Sequence, residues 1–265
     1  MSTAFRDRLP GLALSAYSWL VVLFIGLPLC VVLAVSVTSG QFLSFPPKGF
    51  SLKWFGAFFA SSDWMNAMRT SLEVALGAAV ISTTIGSALA FALDRYEYSY
   101  GGLLAGLGVL PVLLPPVIVG VAFMIFFYSV GFSGTVWNLM IAHGIFYSPF
   151  PFILISQGLD EIDQGYEEAA MNLGATPTYT LRTITIPLLR SNVISGAIFA
   201  FILSLNEYII AWLLSGFVLT TIPIQIFTSL RYSYSPVIAA VSVIFVFITV
   251  VVMSVIDYLS GGIWE

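Results

Sequence analysis

LDEIDQGYEEAAMNLGATPTYTLRTITIP, residues 159–187, is the longest polar interval in a chain that is otherwise mostly apolar. Leu159, Ile162, Tyr166, Ala169, Ala170 and Leu173 recur at helical spacing, while Asp160, Glu161, Asp163, Glu167 and Glu168 fall largely on other faces. Gly174 follows the last periodic residue, where a left-handed C-terminal cap needs a residue without a Cβ. Thr176 and Pro177 then read as an N-cap and a first helical residue, because a hydroxyl can take an orphan N–H and proline has none to leave unpaired. The stretch therefore predicts two short helices joined at a glycine, a rigid knob between membrane spans. Its polar face is acidic, the reverse of a face that lies on lipid.

The whole chain, knob included, is 59% hydrophobic and 8% charged, with a mean hydropathy of +1.00, which is the composition of a polytopic all-α membrane protein. A net charge of −4, with nine Lys and Arg and no basic cluster, excludes nucleic acid as a partner and leaves membrane lipid as the surrounding medium. The single cysteine, Cys30, cannot build a disulfide framework. Arg6 and Arg8 precede an apolar run, but Leu12 to Val37 is too long for a signal-peptide core and suits a retained span. Six segments reach the length needed to cross a bilayer: 12–38, 70–93, 103–130, 133–157, 191–215 and 237–259. They predict a six-helix bundle, one membrane domain over 1–265 with a polar loop at 158–190. Residues 39–69 carry Pro46, Pro47, Lys48, Lys53 and Trp54 and predict a short interfacial helix; 94–102 is a tight turn. Pro111, Pro115 and Pro116 predict a kinked third span.

Several chemistries fail on residue inventory. A phosphate-binding loop needs a lysine after a glycine-rich turn, and the only lysines, Lys48 and Lys53, follow Pro47 and Leu52. Gly131-Phe132-Ser133-Gly134 matches the G-x-S-G of an intramembrane serine protease, whose serine needs a histidine base. The one histidine, His143, is ten residues further along the same predicted span, about 15 Å away on a helix, so the motif reads as a turn and His143 as a packing or pathway-lining residue. One His and one Cys far apart make no metal site. Gly102 and Gly106 read as a small-residue pair for close helix packing.

Charged groups inside the spans are more informative. Glu207, near the middle of the fifth predicted span, costs about 2.5–3.5 kcal/mol to insert and is expected to face the bundle or a wet cavity. It reads either as a counter-charge on a solute path or as a hydrogen-bonded bridge between helices. Glu73 is a weaker pathway candidate, because Arg69 lies one helical turn before it. Tyr208 and Trp212, at i and i+4, offer aromatic faces to an ammonium group, whereas Tyr232 and Tyr234 read as interfacial aromatics.

Glu168-Ala169-Ala170, then Gly174 after three residues, Ile184 after nine more, and Ile186-Pro187 resemble the EAA loop of permease subunits in ABC-type importers, E-A-A-x3-G-x9-I-x-L-P. Ile186 replaces the leucine, a volume-conserving swap. The pattern of spans from about residue 60 onward is similar to a type I importer permease, with 12–38 as an extra first span. SLNEYIIAWLLSG (204–216) and TTIPIQIFTSLRYSYSPVIAAVS (220–242) resemble the permeases of spermidine/putrescine importers; thiamine, ferric iron and organophosphonate permeases are similar. The resemblance implies that Tyr166, Glu167, Glu168, Ala169, Ala170, Leu173, Gly174, Ala175, Thr176 and Pro177 meet an ATPase subunit. It puts Asn206 and Glu207 where related polyamine permeases carry paired acidic or amide residues, so Asn206 joins Glu207, Tyr208, Trp212 and Glu73 as a candidate pathway residue.

Further implied are two ATPase subunits, a second related permease and a periplasmic or surface-anchored binding protein. On that reading the chain is not an enzyme and holds no cofactor, ATP and Mg being bound by the ATPases. It places the chain in a bacterial inner membrane with both termini cytoplasmic. Charge bias does not fix that orientation: Arg6, Arg8, Arg95, Arg182 and Arg190 lie on one side against Lys48, Lys53, Arg69 and Arg231 on the other. An ATP-independent carrier would be expected to show inverted repeats, and none is evident.

Overall fold

The computed structural model describes residues 9–96, 98–163, 165–215, 218–232 and 234–260, so Arg6 and Arg8 lie outside the described residues. In chain order the helices are α1 (Leu9–Ser36), α2 (Lys53–Ala60), α3 (Ser62–Arg95), α4 (Gly101–Leu113), α5 (Pro116–Ser129), α6 (Val136–Tyr147) and α7 (Pro149–Glu161). There follow α8 (Gly165–Asn172), α9 (Pro177–Thr180), a π-helical turn (Leu181–Thr185), α10 (Ile186–Leu205), α11 (Ile209–Leu214), α12 (Ile222–Tyr232) and α13 (Val237–Ser260). No strand occurs among the described residues.

Four helical runs are long and apolar enough to cross a membrane: Tyr17–Ser36, Ser62–Arg95, Pro177–Leu205 and Val237–Ser254. Two further crossings exist if each bent pair is one span: α4 with α5, bent by 100°, and α6 with α7, bent by 43°. The sharp bend falls at Leu114 and Pro115, ahead of Pro116 at the start of α5; proline supplies no N–H and crowds the preceding turn. The second bend, not expected from the sequence, falls at Ser148 before Pro149 for the same reason.

Span limits differ from the expected ones where a polar turn is helical. The second span begins at Ser62 rather than 70, and the fifth begins at Pro177 rather than 191, taking in Arg182 and Arg190. That fifth run ends at Leu205 rather than 215, so the predicted span is cut by the break at 206–208. α12 is a helix where a loop was expected. Pro223 in its first turn was its start signal, and the Thr221 carbonyl accepts the Gln225 N–H at 2.9 Å.

Among the described residues the backbone falls into two compact units, 9–62 with 228–248 and 63–227 with 249–260. In the first, α1 is apolar all round and mostly exposed, as a lipid-facing helix must be. The segment after it folds around buried Thr38, whose hydroxyl accepts the Gly40 and Lys48 N–H groups and whose carbonyl accepts the Trp54 indole N–H at 2.9 Å. α2 is the expected short helix, opening at Lys53.

In the second unit, α7 packs along α10. Pro151 sits between two glycines: a Cβ on Gly86 of α3 would come within 2.6 Å of the Phe152 nitrogen, and one on Gly196 of α10 within 2.6 Å of the Pro151 Cα. These glycines let α3 and α10 close on the bend between α6 and α7. Gly102 and Gly106 do no such work, for a Cβ on either would meet nothing within 4 Å; the expected packing pair is not one within this chain. Two apolar clusters complete the unit, one of Val74, Phe127, Leu139, Phe146, Ile210 and Leu214, the other of Ala90, Phe152, Ile155, Leu159 and Leu189.

Candidate functional site

The polar stretch folds into a knob, though the sequence placed its edges differently. Leu159 belongs to α7 and to the core, and the chain turns at Ile162. Asp163 then starts α8, its carboxylate accepting the Gly165 N–H at 2.9 Å and its carbonyl the Tyr166 N–H at 3.1 Å. Glu167 and Glu168 occupy the first turn of α8, where negative charge suits the helix dipole. At the other end Gly174 has φ +94°, its N–H bonds the Met171 carbonyl at 2.9 Å, and the Ala175 N–H reaches back to the Ala170 carbonyl at 3.0 Å. This pair of bonds is a Schellman cap, and it requires the left-handed residue. Thr176 then caps α9, accepting the Tyr179 N–H, with Pro177 at the first helical position. Both readings of the sequence at this joint hold.

Exposure sorts the residues of the expected docking set. Tyr166, Glu168, Ala169, Leu173, Gly174, Thr176 and Pro177 are exposed, Leu173 by 91%, with Ala170 and Ala175 half-buried. Ala170, Leu173, Gly174, Ala175, Thr176 and Tyr179 line an open hollow of about 500 Å³. Leu173 projects into open space, and Tyr166 and Tyr179 are also exposed, by 62% and 61%. Glu167 departs from the set. It is 7% exposed and turned inward, accepting both guanidinium nitrogens of Arg95 and the hydroxyl of Thr185, which is fully buried in the π turn. The Arg95 guanidinium, with the Thr185 hydroxyl, holds the Glu167 carboxyl below the usual carboxylate range against the opposing effect of burial. Nothing local in the sequence pairs these residues, which stand 72 and 18 positions apart.

A second polar centre lies at the break between α10 and α11. Glu207 is not in the middle of a helix, as expected, but in the gap before α11. Its two carboxylate oxygens accept the Ile210 N–H at 2.9 Å and the Ala211 N–H at 2.8 Å, capping the new helix. On the same carboxylate, Oε2 lies 3.3 Å from Nε2 of His143, while Nδ1 of that ring is 2.8 Å from the Ser204 hydroxyl. The Ser204 O–H donating to Nδ1 leaves a proton on Nε2 facing the carboxylate, the tautomer that makes both contacts attractive. His143 thus ties one side of the break to the other. Its partners are Ser204 and Glu207, and Ser133 sits in a turn flanked by Gly131 and Gly134, both at φ +67°, so the serine-protease reading has no geometric support.

Around this centre Asn206 is exposed, its amide donating to the Ile202 carbonyl at 2.8 Å. Tyr208 stacks on Phe227 at 4.1 Å between centroids, and Trp212, one turn along, is 47% exposed. One ring face of Tyr208 is therefore covered by Phe227. Glu73 pairs with Arg69 at 2.7 Å beside a polar hollow of about 450 Å³ that Asp63, Asn66 and Gln225 also line. None of Asn206, Glu207, Tyr208 and Trp212 lines that hollow.

The geometry can be set against known proteins. Residues 82–264 match the family described as "Binding-protein-dependent transport system inner membrane component". The putrescine transport system permease protein PotI of Escherichia coli is 33% identical over 204 residues, 73% of this chain and 72% of that protein. PhnV of Salmonella typhimurium, named for a 2-aminoethylphosphonate transport system, is 30% identical over 245 residues, 92% of each chain. Among solved structures, a chain of a bacterial ABC transporter involved in the import of the acidic polysaccharide alginate superposes with a TM-score of 0.73, covering 97% of this chain and 98% of that one at 17% identity. That likeness fixes the fold as the one shared by ABC importer membrane chains. With its helical apolar runs, its capped two-helix knob and a family match over more than half its length, the chain belongs to the binding-protein-dependent transport system inner membrane components.

Proposed function

We propose that the chain is one of two related permease subunits of an ATP-driven importer, and that the α8–α9 knob is where a separate ATPase grips it. The observation that carries this reading is the knob itself: an exposed Leu173 and Tyr179 beside a hollow, held rigid by a Schellman cap at Gly174 and an N-cap at Thr176. A pair of ATPase subunits would bind ATP and Mg and hydrolyse the nucleotide. This chain would supply the path and the lever, hold no cofactor and catalyse nothing. A soluble binding protein would deliver cargo on the opposite face, with both termini of the chain on the ATPase side. The two compact units would work as one permease domain.

The cargo we infer is a small polyamine such as putrescine. The identity with PotI supports it, as does the resemblance of residues 204–242 to polyamine permeases. Asn206, Tyr208 and Trp212 would meet cargo at the break, and Glu207 would shape that break rather than meet the cation directly. The similarity to PhnV favours an organophosphonate as a second reading.

Proteoliposomes holding this chain, its partner permease, the ATPases and the binding protein separate the two. ATP-dependent uptake of labelled putrescine, undiminished by excess 2-aminoethylphosphonate, is expected. Uptake of the phosphonate and not of putrescine would move the cargo to the second reading. Neither uptake nor a co-purifying ATPase would remove the importer reading altogether.

A further inference from the structure

α8 is hydrogen-bonded to the membrane-spanning helices through one side chain. Among the described residues, Glu167 is the only α8 side chain hydrogen-bonded to another helix, and it bonds two at once. Arg95 is the last residue of α3, a 34-residue run. Thr185 closes the π turn through which α9 passes into α10. The bidentate guanidinium–carboxylate pair fixes orientation as well as distance, because two parallel N–H···O bonds resist rotation where a single one does not. Thr185, itself fully buried, adds a third bond. The neighbouring Glu168, which completes the E-A-A pattern, is exposed and makes no such tie.

The π turn sharpens the point. Pro187 follows it by two residues, lacks an N–H, and would crowd the carbonyl one turn earlier in a regular helix. A widened turn at that place takes up the crowding and is a soft joint in an otherwise stiff rod. A pull on α8 delivered only through the chain would be absorbed there. A pull delivered through Glu167 acts at the far end of the joint, at Thr185, and on α3 through Arg95.

We propose that Arg95, Glu167 and Thr185 form a latch that carries displacement of α8 into α3 and α10 together, making Glu167 the positioning residue that converts docking into movement of the spans. The latch rests on the reading of α8 and α9 as the ATPase-facing knob. It assigns the two adjacent glutamates different work, Glu168 at the partner surface and Glu167 inside the lever.

The test uses the complete reconstituted transporter and reads cargo imported per ATP hydrolysed, a ratio that a general loss of active protein leaves unchanged. E167Q and R95Q are expected to retain the ATPase on co-purification and to lower that ratio at least tenfold. The reversed pair R95E/E167R should restore it to within about threefold of the parent. T185V, which keeps the ion pair and nearly the same shape, should lower the ratio about threefold, and it decides the matter if the charge variants do not assemble. An unchanged ratio in T185V together with E167Q or R95Q, or in T185V alone if neither assembles, would overturn the latch. Loss of the bound ATPase in E167Q, with R95Q and T185V normal, would overturn it by placing Glu167 at the docking surface. A parent complex that neither holds an ATPase nor couples hydrolysis to uptake would remove the knob reading, and the latch with it.

Discussion

Glu207 illustrates how a residue's type and its job separate. A carboxylate in a membrane chain for a cationic solute suggests a counter-charge on the path, and its side chain is only 5% exposed. Both oxygens are engaged by the Ile210 and Ala211 N–H groups, and His143 stands against one of them. The insertion cost of about 2.5–3.5 kcal/mol is offset here by groups that would otherwise be unpaired backbone donors in a buried gap. Glu207→Ala strands both donors, at about 1–3 kcal/mol each, whereas Glu207→Gln keeps one acceptor oxygen and strands one. Thermal unfolding of the detergent-solubilised complex should therefore fall in the order parent, Gln, Ala. A Gln variant as unstable as Ala, or an Ala variant as stable as the parent, would show that the carboxylate does not cap α11. What the sequence hid was the partner: His143 lies 64 positions before Glu207, and no periodicity links them.

At the scale of elements, the joint between α8 and α9 was legible because its signals are local. A left-handed cap asks for glycine, an N-cap for threonine and a first helical position for proline, and residues 174, 176 and 177 supply each in turn. Nothing lies within 4 Å of a Cβ built on Gly174, so a side chain there meets open space and the whole cost of replacing it is backbone. At φ +94° that cost is about 1–2 kcal/mol for an ordinary residue and higher for a β-branched one, while asparagine tolerates the region better. Gly174→Val should therefore reorient the knob and abolish uptake while the chain still inserts, and Gly174→Asn should keep at least half the parent uptake. Equal uptake by the two variants would mean that the left-handed cap does not set the angle of the knob. The breaks at 114–115, 148 and 206–208 were harder to read. Proline marks the first two, but how far a proline bends a helix depends on what the freed carbonyls find in neighbouring helices, and that is tertiary information.

At the scale of the molecule, composition alone decided the solvent, and the apolar runs decided the number of crossings to within the two bent pairs. Where the runs begin and end was read less well, because Ser62–Arg69 and Pro177–Arg190 are polar enough to pass for loops yet continue the helices that follow them. Those extensions matter for mechanism. Helical turns at the end of a span are stiffer than a loop, and where the π turn at Leu181–Thr185 softens the run into α10, the hydrogen bonds of Glu167 to Thr185 and Arg95 span that joint. On the function proposed above, such a chain is a lever driven by a partner ATPase and has no gate of its own to open. The expectation is a membrane with no passive leak: the two permease subunits alone, reconstituted across a putrescine gradient, should pass no more solute than protein-free vesicles. Flux should begin only when ATPase subunits, ATP and loaded binding protein are present. Steady flux through the permease pair alone, saturating with putrescine and indifferent to added ATPase, would mark an ATP-independent carrier and would leave the capped knob without a purpose.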